Sequence, residues 1–304
     1  MSVLSDYFPA GLNFVIKKAI TIKPKVIANS FYVVTLDSDG MASIIDLNQE
    51  SKVVSTARHI RDIFNEINDY ETVHFITNTG TMDSIDHASS NLKFHCNENF
   101  GSDIIHMSAI GDIIIYTDVR GKVTINSIGS FWSNRQLDLP ELVVTAAITN
   151  DLVLCLTVSG TLRMYQMSDH TSDLISITSS PEKENIAKVS ATDGTVILLG
   201  LNGKVAYYST DHNFTKVSSS REGLLDIDVV SEGDLLELLL DRRVRNNNKI
   251  IPHIKDIKAI SSGPSQALIQ IDGRVLTRRE GEVIFTTIPR VRLTSFDARE
   301  AVFK

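Results

Sequence analysis

A hairpin pattern that recurs along the chain restricts the fold more than any other feature of the sequence. In each copy an apolar, β-branched run ends in a turn and a second short apolar run follows, as in TVILLGLNGKVAYY at residues 195–208. Six copies carry glycine in the turn and a seventh carries arginine: Gly40, Gly80, Gly121, Gly160, Gly203, Arg242 and Gly273. The intervals are 40, 41, 39, 43, 39 and 31 residues. Glycine suits these places because tight hairpin turns need a positive φ, which costs more for a residue with a Cβ atom.

Each hairpin is accompanied by two further apolar segments. VVTAAIT precedes the strand LVLCLT, and FTKVSS follows the hairpin at Gly203. The unit therefore holds four strands in about 40 residues, which is the size of one propeller blade. We predict an all-β fold in which residues 1–304 form a single closed β-propeller domain of four-stranded blades, because no linker interrupts the period.

The two ends of the chain bear on the number of blades. Residues 291–304 have the pattern of the first two strands of a unit, and the segment that begins at Gly11 has the pattern of the last two. Pairing of these N- and C-terminal strands would close the ring and leave no sheet edge unpaired. This hairpin count gives eight blades. Seven blades result if one unit is irregular, because the intervals that precede Gly40 and Gly273 are short.

One segment also fits a helix. Ile60, Ile63, Phe64 and Ile67 are spaced as on one face of a short amphipathic helix inserted between blades. A strand with a β-bulge fits the same residues, and the sequence leaves both structures open.

Composition indicates a soluble intracellular protein. Hydrophobic residues make up 42%, charged residues 22%, and the mean hydropathy is +0.02. No apolar run approaches the roughly 18 residues that a membrane helix needs, and the N-terminus lacks a basic stretch followed by an apolar block. Two distant cysteines, Cys96 and Cys155, favour a reducing compartment over a disulfide framework. We expect the cytoplasm or the nucleus, without a signal peptide, a transmembrane segment or a membrane partner.

Three segments carry a resemblance to a known family: VSATDGTVILLGLNGKVAYY at 189–208, ISSGPSQALIQIDGRVLTR at 260–278 and AAITNDLVLCLTVSGTLRMY at 146–165. Their order of apolar strand, small residues, strand, glycine turn and apolar or aromatic strand resembles the regulator of chromosome condensation repeat, and the likeness extends over nearly the whole chain. The resemblance implies a propeller that binds a partner through one face. Such repeats also occur in large DNA viruses, so a viral, host-interacting role stays open.

Motifs for enzyme chemistry are missing from the sequence. There is no GxSxG nucleophile turn, no GxGxxG and no GxxxxGK[ST] phosphate loop. A dense group of possible metal ligands lacks the spacing of any zinc site: Asp83, Asp86, His87, His95 and Cys96. We therefore predict no catalytic residues, no cofactor and no bound metal.

Charge is distributed unevenly along the chain. The last 64 residues hold 13 of the 30 Lys and Arg but only 7 of the 37 Asp and Glu, which leaves a balance of +6 there and −13 in the first 240 residues. Guanidinium groups suit planar anions such as carboxylate and phosphate. The candidate partner-binding residues are Arg242, Arg243, Arg245, Lys249, Lys255, Arg278 and Arg279.

Three hypotheses for function follow. The first is a non-enzymatic protein-interaction scaffold that binds an unidentified protein partner through a loop face. The second is binding of nucleic acid, chromatin or another anionic partner by the basic C-terminal sector, which requires its cations to converge on one surface. The third is a propeller hydrolase or lyase with inward acidic residues at the channel mouth. Carboxylate pairs such as Asp226 and Asp228, or Glu280 and Glu282, are not assigned as acid and base from the sequence, because that assignment needs geometry.

Overall fold

The structure is a computed structural model, and its regular elements are all β-strands. It describes residues 25–48, 52–65, 72–85, 95–99, 104–110, 113–127, 135–149, 152–167, 175–179, 186–191, 194–200, 203–209, 216–219, 223–229, 235–262, 265–279 and 281–292. Within these ranges there are 28 strands and no helix. The all-β prediction is confirmed.

The chain divides into two compact units, of which the first comprises Met1–Thr21 and Gly101–Ser220. It contains three four-stranded sheets. The third sheet of the chain consists of β9 (Ile104–Ile110), β10 (Ile113–Asp118), β11 (Val123–Ser127) and β12 (Arg135–Gln136). The fourth consists of β13 (Val143–Ile148), β14 (Leu152–Thr157), β15 (Leu162–Gln166) and β16 (Ile175–Ser179). The fifth consists of β17 (Ile186–Ala191), β18 (Thr195–Gly200), β19 (Val205–Ser209) and β20 (Lys216–Ser219).

The second unit comprises Ile22–Phe100 and Arg221–Lys304 and contains four sheets. The first sheet consists of β1 (Lys25–Ala28), β2 (Tyr32–Leu36), β3 (Ala42–Asp46) and β4 (Lys52–Ala57). The second consists of β5 (Ile60–Asn65), β6 (Val73–Thr77), β7 (Thr81–Ile85) and β8 (His95–Asn99). The sixth consists of β21 (Leu224–Val229), β22 (Leu235–Leu239), β23 (Val244–Asn246) and β24 (Lys249–Ile250). The seventh consists of β25 (Ile257–Ser261), β26 (Gln266–Gln270), β27 (Arg274–Arg278) and β28 (Thr286–Arg292).

Every sheet is an antiparallel meander in which strands adjacent in sequence are hydrogen-bonded neighbours. The seven sheets agree with the lower of the two blade numbers. The first and seventh sheets each have four strands of their own, and β28 already includes Val291 and Arg292. The composite eighth blade would draw on residues 11–22 and 293–304, which lie outside the described residues, and the predicted closure of the ring stays a prediction.

The predicted hairpins are confirmed at all seven turns. In every sheet the second and third strands are joined at the residue that the repeat marks, and this residue has a positive φ, from 62° at Arg242 to 84° at Gly273. At the first turn Gly40 N donates to Asp37 O (3.2 Å) and Asp37 N donates to Met41 O (3.0 Å). This is a tight turn followed by a left-handed residue, the geometry that favours glycine.

The segment that fitted either a helix or a bulged strand begins with a strand. Ile60–Asn65 form strand β5, whose register with β6 shifts between Ile60 and Asp62. The bulged strand is therefore the correct alternative over the described part of this segment, and Ile67 lies outside the described residues.

The core lies between neighbouring sheets of the same unit. Side chains of the sixth and seventh sheets form one buried apolar cluster: Leu236, Leu238, Val244, Ile257, Ile260, Leu268, Leu276 and Phe285. The first and seventh sheets share a second cluster that includes Val33, Ile45 and Ile269, and the fourth and fifth share a third. Strand alternation sends side chains to both faces of a sheet, so strands such as Leu152–Thr157, buried along their whole length, have both faces covered.

Candidate partner-binding surface

In each meander the glycine turn and the start of the first strand lie at one end of the sheet, which we term the turn end. The connections between strands one and two and between strands three and four lie at the opposite end. This geometry decides which of the candidate cations lie together. Arg242, Arg243 and Lys255 are at the turn end of the sixth and seventh sheets, whereas Arg278 and Arg279 follow β27 to the opposite end.

Arg245 on β23 faces a buried carboxylate. Its Nη2 atom is 2.8 Å from Oε1 of Glu237, and its Nε atom donates to Oε2 of the same side chain. Glu237 on β22 is fully buried, and the two residues are direct cross-strand partners. A guanidinium with two bonds to one carboxylate is committed to that pair. The structure thus places Arg245 in the framework of the sixth sheet.

Arg242 and Arg243 lie in the turn between β22 and β23. Arg242 takes the place of the turn glycine, with φ 62°, and its Nη1 atom is 3.4 Å from Ile257 O. The Nε atom of Arg243 donates to Oδ2 of Asp241 at 2.7 Å, and the pair is about half exposed. This hydrogen bonding lowers the pKa of the Asp241 carboxyl and raises the pKa of the Arg243 guanidinium.

At the opposite end of the seventh sheet, Arg278 and Arg279 are also engaged within the chain. Arg278 donates to Oε1 of buried Gln266, and its guanidinium lies 5.0 Å above the ring centre of Phe285. Arg279 donates from its side chain to the carbonyl oxygen of Leu47 and from its main chain to Glu282 (2.9 Å). Both arginines therefore hold the connection between β27 and β28 in place.

The two lysines differ from the five arginines. Lys249 on β24 and Lys255 before β25 are exposed, and neither ammonium group has a hydrogen-bond or ion-pair partner in the part of the chain that the structure describes. The seven predicted residues consequently do not form one continuous basic surface. Arg242, Arg243 and Lys255 lie at the turn end, Lys249, Arg278 and Arg279 lie at the opposite end, and Arg245 is internal.

The acidic candidates that the structure describes accept hydrogen bonds from main-chain N–H groups. Oδ2 of Asp228 accepts a bond from Ser262 N (2.8 Å), and Oδ1 of Asp226 accepts one from the adjacent Ile227 N (2.8 Å). Burial raises the pKa of the Asp83 carboxyl. Asp86 and His87 lie outside the described residues, as do the side chains of His95 and Cys96. The described ranges contain no group of three or more His, Cys, Asp or Glu side chains able to hold a metal.

Large hydrophobic side chains are exposed in only two of the seven sheets, among the residues described. They are Leu225, Leu240, Ile250, Ile271, Val283 and Ile284. Leu240 and Ile271, 64% and 40% exposed, lie in the glycine-type turns of the sixth and seventh sheets. Val283 and Ile284, 84% and 73% exposed, lie between β27 and β28 at the opposite end. None of these residues was predicted from the sequence, although an aliphatic side chain inside a turn is a signal that could have found Leu240 and Ile271.

Comparison with known proteins identifies the fold of the chain but does not assign it to a family. No family model matches the chain, and no curated protein matches it. Solved structures do match. Cps50 (Swd1) from Myceliophteria thermophila, a β-propeller domain, aligns over 86% of this chain and 96% of its own with a TM-score of 0.62 and 11% identity. The chain has the β-propeller fold.

Two further structures support the same fold. Hsv2 from Kluyveromyces lactis aligns over 87% of this chain and 98% of its own with a TM-score of 0.57 and 8% identity. PorZ from Porphyromonas gingivalis aligns over 91% of this chain and 39% of its own with a TM-score of 0.57 and 14% identity. Identities this low establish architecture alone. The resemblance to the regulator of chromosome condensation repeat is not matched by a family model, and it stays a resemblance. The described residues include no helix able to cross a bilayer.

Proposed function

We propose that this propeller is a non-enzymatic interaction scaffold that binds a protein partner through loops of the sixth and seventh sheets. One observation carries the proposal. Large aliphatic side chains are exposed at Leu240, Ile271, Val283 and Ile284 in loops of the sixth and seventh sheets, and every large hydrophobic side chain exposed among the described residues belongs to these two sheets. Exposed apolar residues grouped at one place, such as Leu240 with Ile271 at the turn end or Val283 with Ile284 at the opposite end, are typical of protein–protein contact sites.

The regulator of chromosome condensation resemblance supports the same proposal, since it implies binding through one face of a propeller. The arginines of the C-terminal sector support a protein partner better than a nucleic acid. Tight, salt-sensitive binding to phosphates needs several cations free to pair with them, and Arg245, Arg278 and Arg279 already have acceptors within the chain. The proposal places the protein inside the cell, in the cytoplasm or the nucleus.

The experiment is quantitative capture from the native host. The full chain and a variant in which Leu240, Ile271, Val283 and Ile284 are all replaced by serine are immobilised, and bound proteins are identified by mass spectrometry. We expect at least one protein to be retained in stoichiometric amount by the native chain and lost with the variant. Arg120→Gln, a substitution on the third sheet, serves as the control. Equal retention by the native chain and the variant would place binding elsewhere and overturn the proposal.

A further inference from the structure

The turns of the sixth and seventh sheets carry the same three kinds of side chain in the same order. The sequences are Leu240-Asp241-Arg242-Arg243 and Ile271-Asp272-Gly273-Arg274, each an aliphatic residue, an aspartate, a residue with positive φ and an arginine. Within each turn the arginine main-chain N–H donates to Oδ1 of the aspartate (3.1 Å) and the arginine Nε donates to Oδ2 (2.7 Å). We term these six residues the twin-turn surface: Leu240, Asp241, Arg243, Ile271, Asp272 and Arg274.

The two turns are held side by side through consecutive residues of one segment. Ile257 N donates to Arg242 O of the first turn (3.0 Å), and Asp256 O accepts from Ile271 N of the second (2.7 Å). The carbonyl of Asp256 and the N–H of Ile257 belong to one peptide group, so a single peptide unit is bonded to both turns. Leu240 and Ile271 therefore belong to one surface that is continuous across two sheets.

The arginines of this surface are ordered in advance of any partner. Each guanidinium is held by its aspartate, yet about half of each side chain is exposed. Nη1 of Arg243 and both terminal nitrogens of Arg274 have no acceptor among the described residues. An arginine whose side chain is already fixed loses less conformational entropy when it binds a carboxylate. Arginine and exposed aliphatic groups together form the energetic centre of many protein interfaces.

Charge indicates which kind of partner fits. The residues in and beside the two turns include four cations, Arg242, Arg243, Lys255 and Arg274, and three anions, Asp241, Asp256 and Asp272. The excess is positive, whereas the first 240 residues carry a balance of −13. We propose that the twin-turn surface binds a peptide segment of a partner protein in which carboxylates alternate with aliphatic side chains. This inference rests on the proposed function. It names the chemistry of the partner that binds at the turn end of the sixth and seventh sheets, one of the two ends where aliphatic side chains are exposed.

Peptide display on the intact chain tests the inference even though the partner is unidentified. A library of random dodecamer peptides is selected against the immobilised protein, and the enriched peptides are synthesised and titrated by fluorescence polarisation. We expect enrichment of Asp and Glu together with Leu, Ile or Val. Leu240→Ser combined with Ile271→Ser should weaken binding about tenfold or more, the usual effect of truncating central interface residues. Arg243→Gln combined with Arg274→Gln should weaken it less and reduce its dependence on salt.

Arg120→Gln is the matched control. Arg120 has a 60% exposed side chain and donates to Asp118 (2.9 Å), as Arg243 and Arg274 donate to their aspartates, but it lies in the turn of the third sheet and its aspartate is buried. Its substitution should leave peptide affinity unchanged. Circular dichroism of each variant verifies folding, which surface substitutions of this kind preserve.

The outcomes separate this inference from the proposed function. Selected peptides without acidic enrichment, or acidic peptides whose affinity is insensitive to both double substitutions, would overturn the inference. If capture of the host partner instead depends on Val283→Ser with Ile284→Ser and not on Leu240→Ser with Ile271→Ser, the scaffold function stands and the twin-turn surface is not its binding site. Selection of nucleic-acid probes in a parallel experiment, with no peptide enriched, would also reject it.

Discussion

The main-chain N–H of Ile257 donates a 3.0 Å hydrogen bond to the carbonyl oxygen of Arg242. The same bond joins Ile60 to Gly40 (2.9 Å) and Val143 to Gly121 (3.0 Å). In each case the donor is the first residue of a sheet and the acceptor is the positive-φ residue in the turn of the preceding sheet. The left-handed turn residue thus closes its own hairpin and also fixes the entry of the next sheet.

Replacing Arg242 by glycine should stabilise the protein. The φ of 62° at Arg242 costs a residue with a Cβ atom about 1 kcal/mol or somewhat more, and glycine avoids this cost. Part of the gain is offset by the greater flexibility of glycine in the unfolded chain and by loss of the 3.4 Å contact to Ile257 O. We expect the free energy of unfolding to rise by about 0.5–1 kcal/mol in urea denaturation. A decrease in the free energy of unfolding would mean that the contacts of the Arg242 side chain stabilise the protein by more than its left-handed backbone conformation costs.

The reverse substitution at Gly121 should be costly. A Cβ atom at Gly121 would lie 2.8 Å from Leu142 Cβ and 2.9 Å from Val143 N, and φ is +72°. Gly121→Ala should therefore lower the free energy of unfolding by about 2 kcal/mol or more. Gly281→Ala is the matched control, because φ there is +81° but an added Cβ atom would meet no described atom within 4 Å apart from its chain neighbours. It should cost about 1 kcal/mol, the backbone contribution alone. Equal losses at both positions would contradict the steric argument.

The repeat was predictable from the sequence because one physical requirement recurs. The turn after each β-branched strand needs a residue with positive φ, and this requirement selects glycine at Gly40, Gly80 and Gly160. The apolar strands on either side of the glycine complete the pattern. The number of blades was harder to predict. The sequence left seven and eight blades open, because the eighth required pairing between the two chain ends, and strand pairing at long sequence separation has no local signal.

The candidate surface was predicted less well for a different reason. Counting charges found Arg245 and Arg278 but could not show that both side chains are already hydrogen-bonded within the chain. Glu237, the acceptor for Arg245, is 8 residues away, and Gln266, the acceptor for Arg278, is 12 residues away. The exposure of Leu240 was also missed, because an aliphatic residue next to a strand resembles a core residue in sequence. Its position inside the repeated turn was the signal that could have shown it to be exposed.

The buried Glu237–Arg245 pair gives a third prediction. Arg245→Met removes the guanidinium that is paired with a fully buried carboxylate, so we expect a loss of about 3–5 kcal/mol in the free energy of unfolding. Replacing both residues by leucine removes the charge with the partner and should restore most of this loss. Arg243→Gln, at an exposed pair, should leave the unfolding midpoint unchanged. A double variant no more stable than Arg245→Met would show that Glu237 has other essential contacts.

We further propose that residues 1–304 unfold as a single domain. Gly121 belongs to the first compact unit and Glu237 to the second. If the chain is one cooperative domain, Gly121→Ala and Arg245→Met should each shift the same calorimetric transition, with no second peak. Two transitions, each sensitive to only one of the substitutions, would show that the units unfold independently.

Cys155 gives a prediction that depends on pH. Burial in the fourth sheet raises the pKa of the Cys155 thiol to about 12, whereas an unfolded cysteine titrates near about 8.5. With Cys96 replaced by serine, the native protein should therefore not react with Ellman's reagent at pH 8, because thiolate is the reactive form. Full reaction should appear only in denaturant. Rapid reaction of the native protein would contradict the burial of this side chain.

The same pKa shift makes stability fall at alkaline pH. Below about pH 8.5 the thiol is protonated in both states, so Cys155 has no effect on the pH dependence there. Between that pH and about 12 the unfolded state releases the proton and the folded state keeps it, so this group lowers the free energy of unfolding by about 1.4 kcal/mol per pH unit. Other groups also titrate in this range, so the comparison is with Cys155→Ala. The difference in free energy of unfolding between the two proteins should be constant from pH 6 to 8 and should shift in favour of alanine above pH 9. A difference that stays constant to pH 11 would show that the pKa of the Cys155 thiol is the same in the folded and unfolded states.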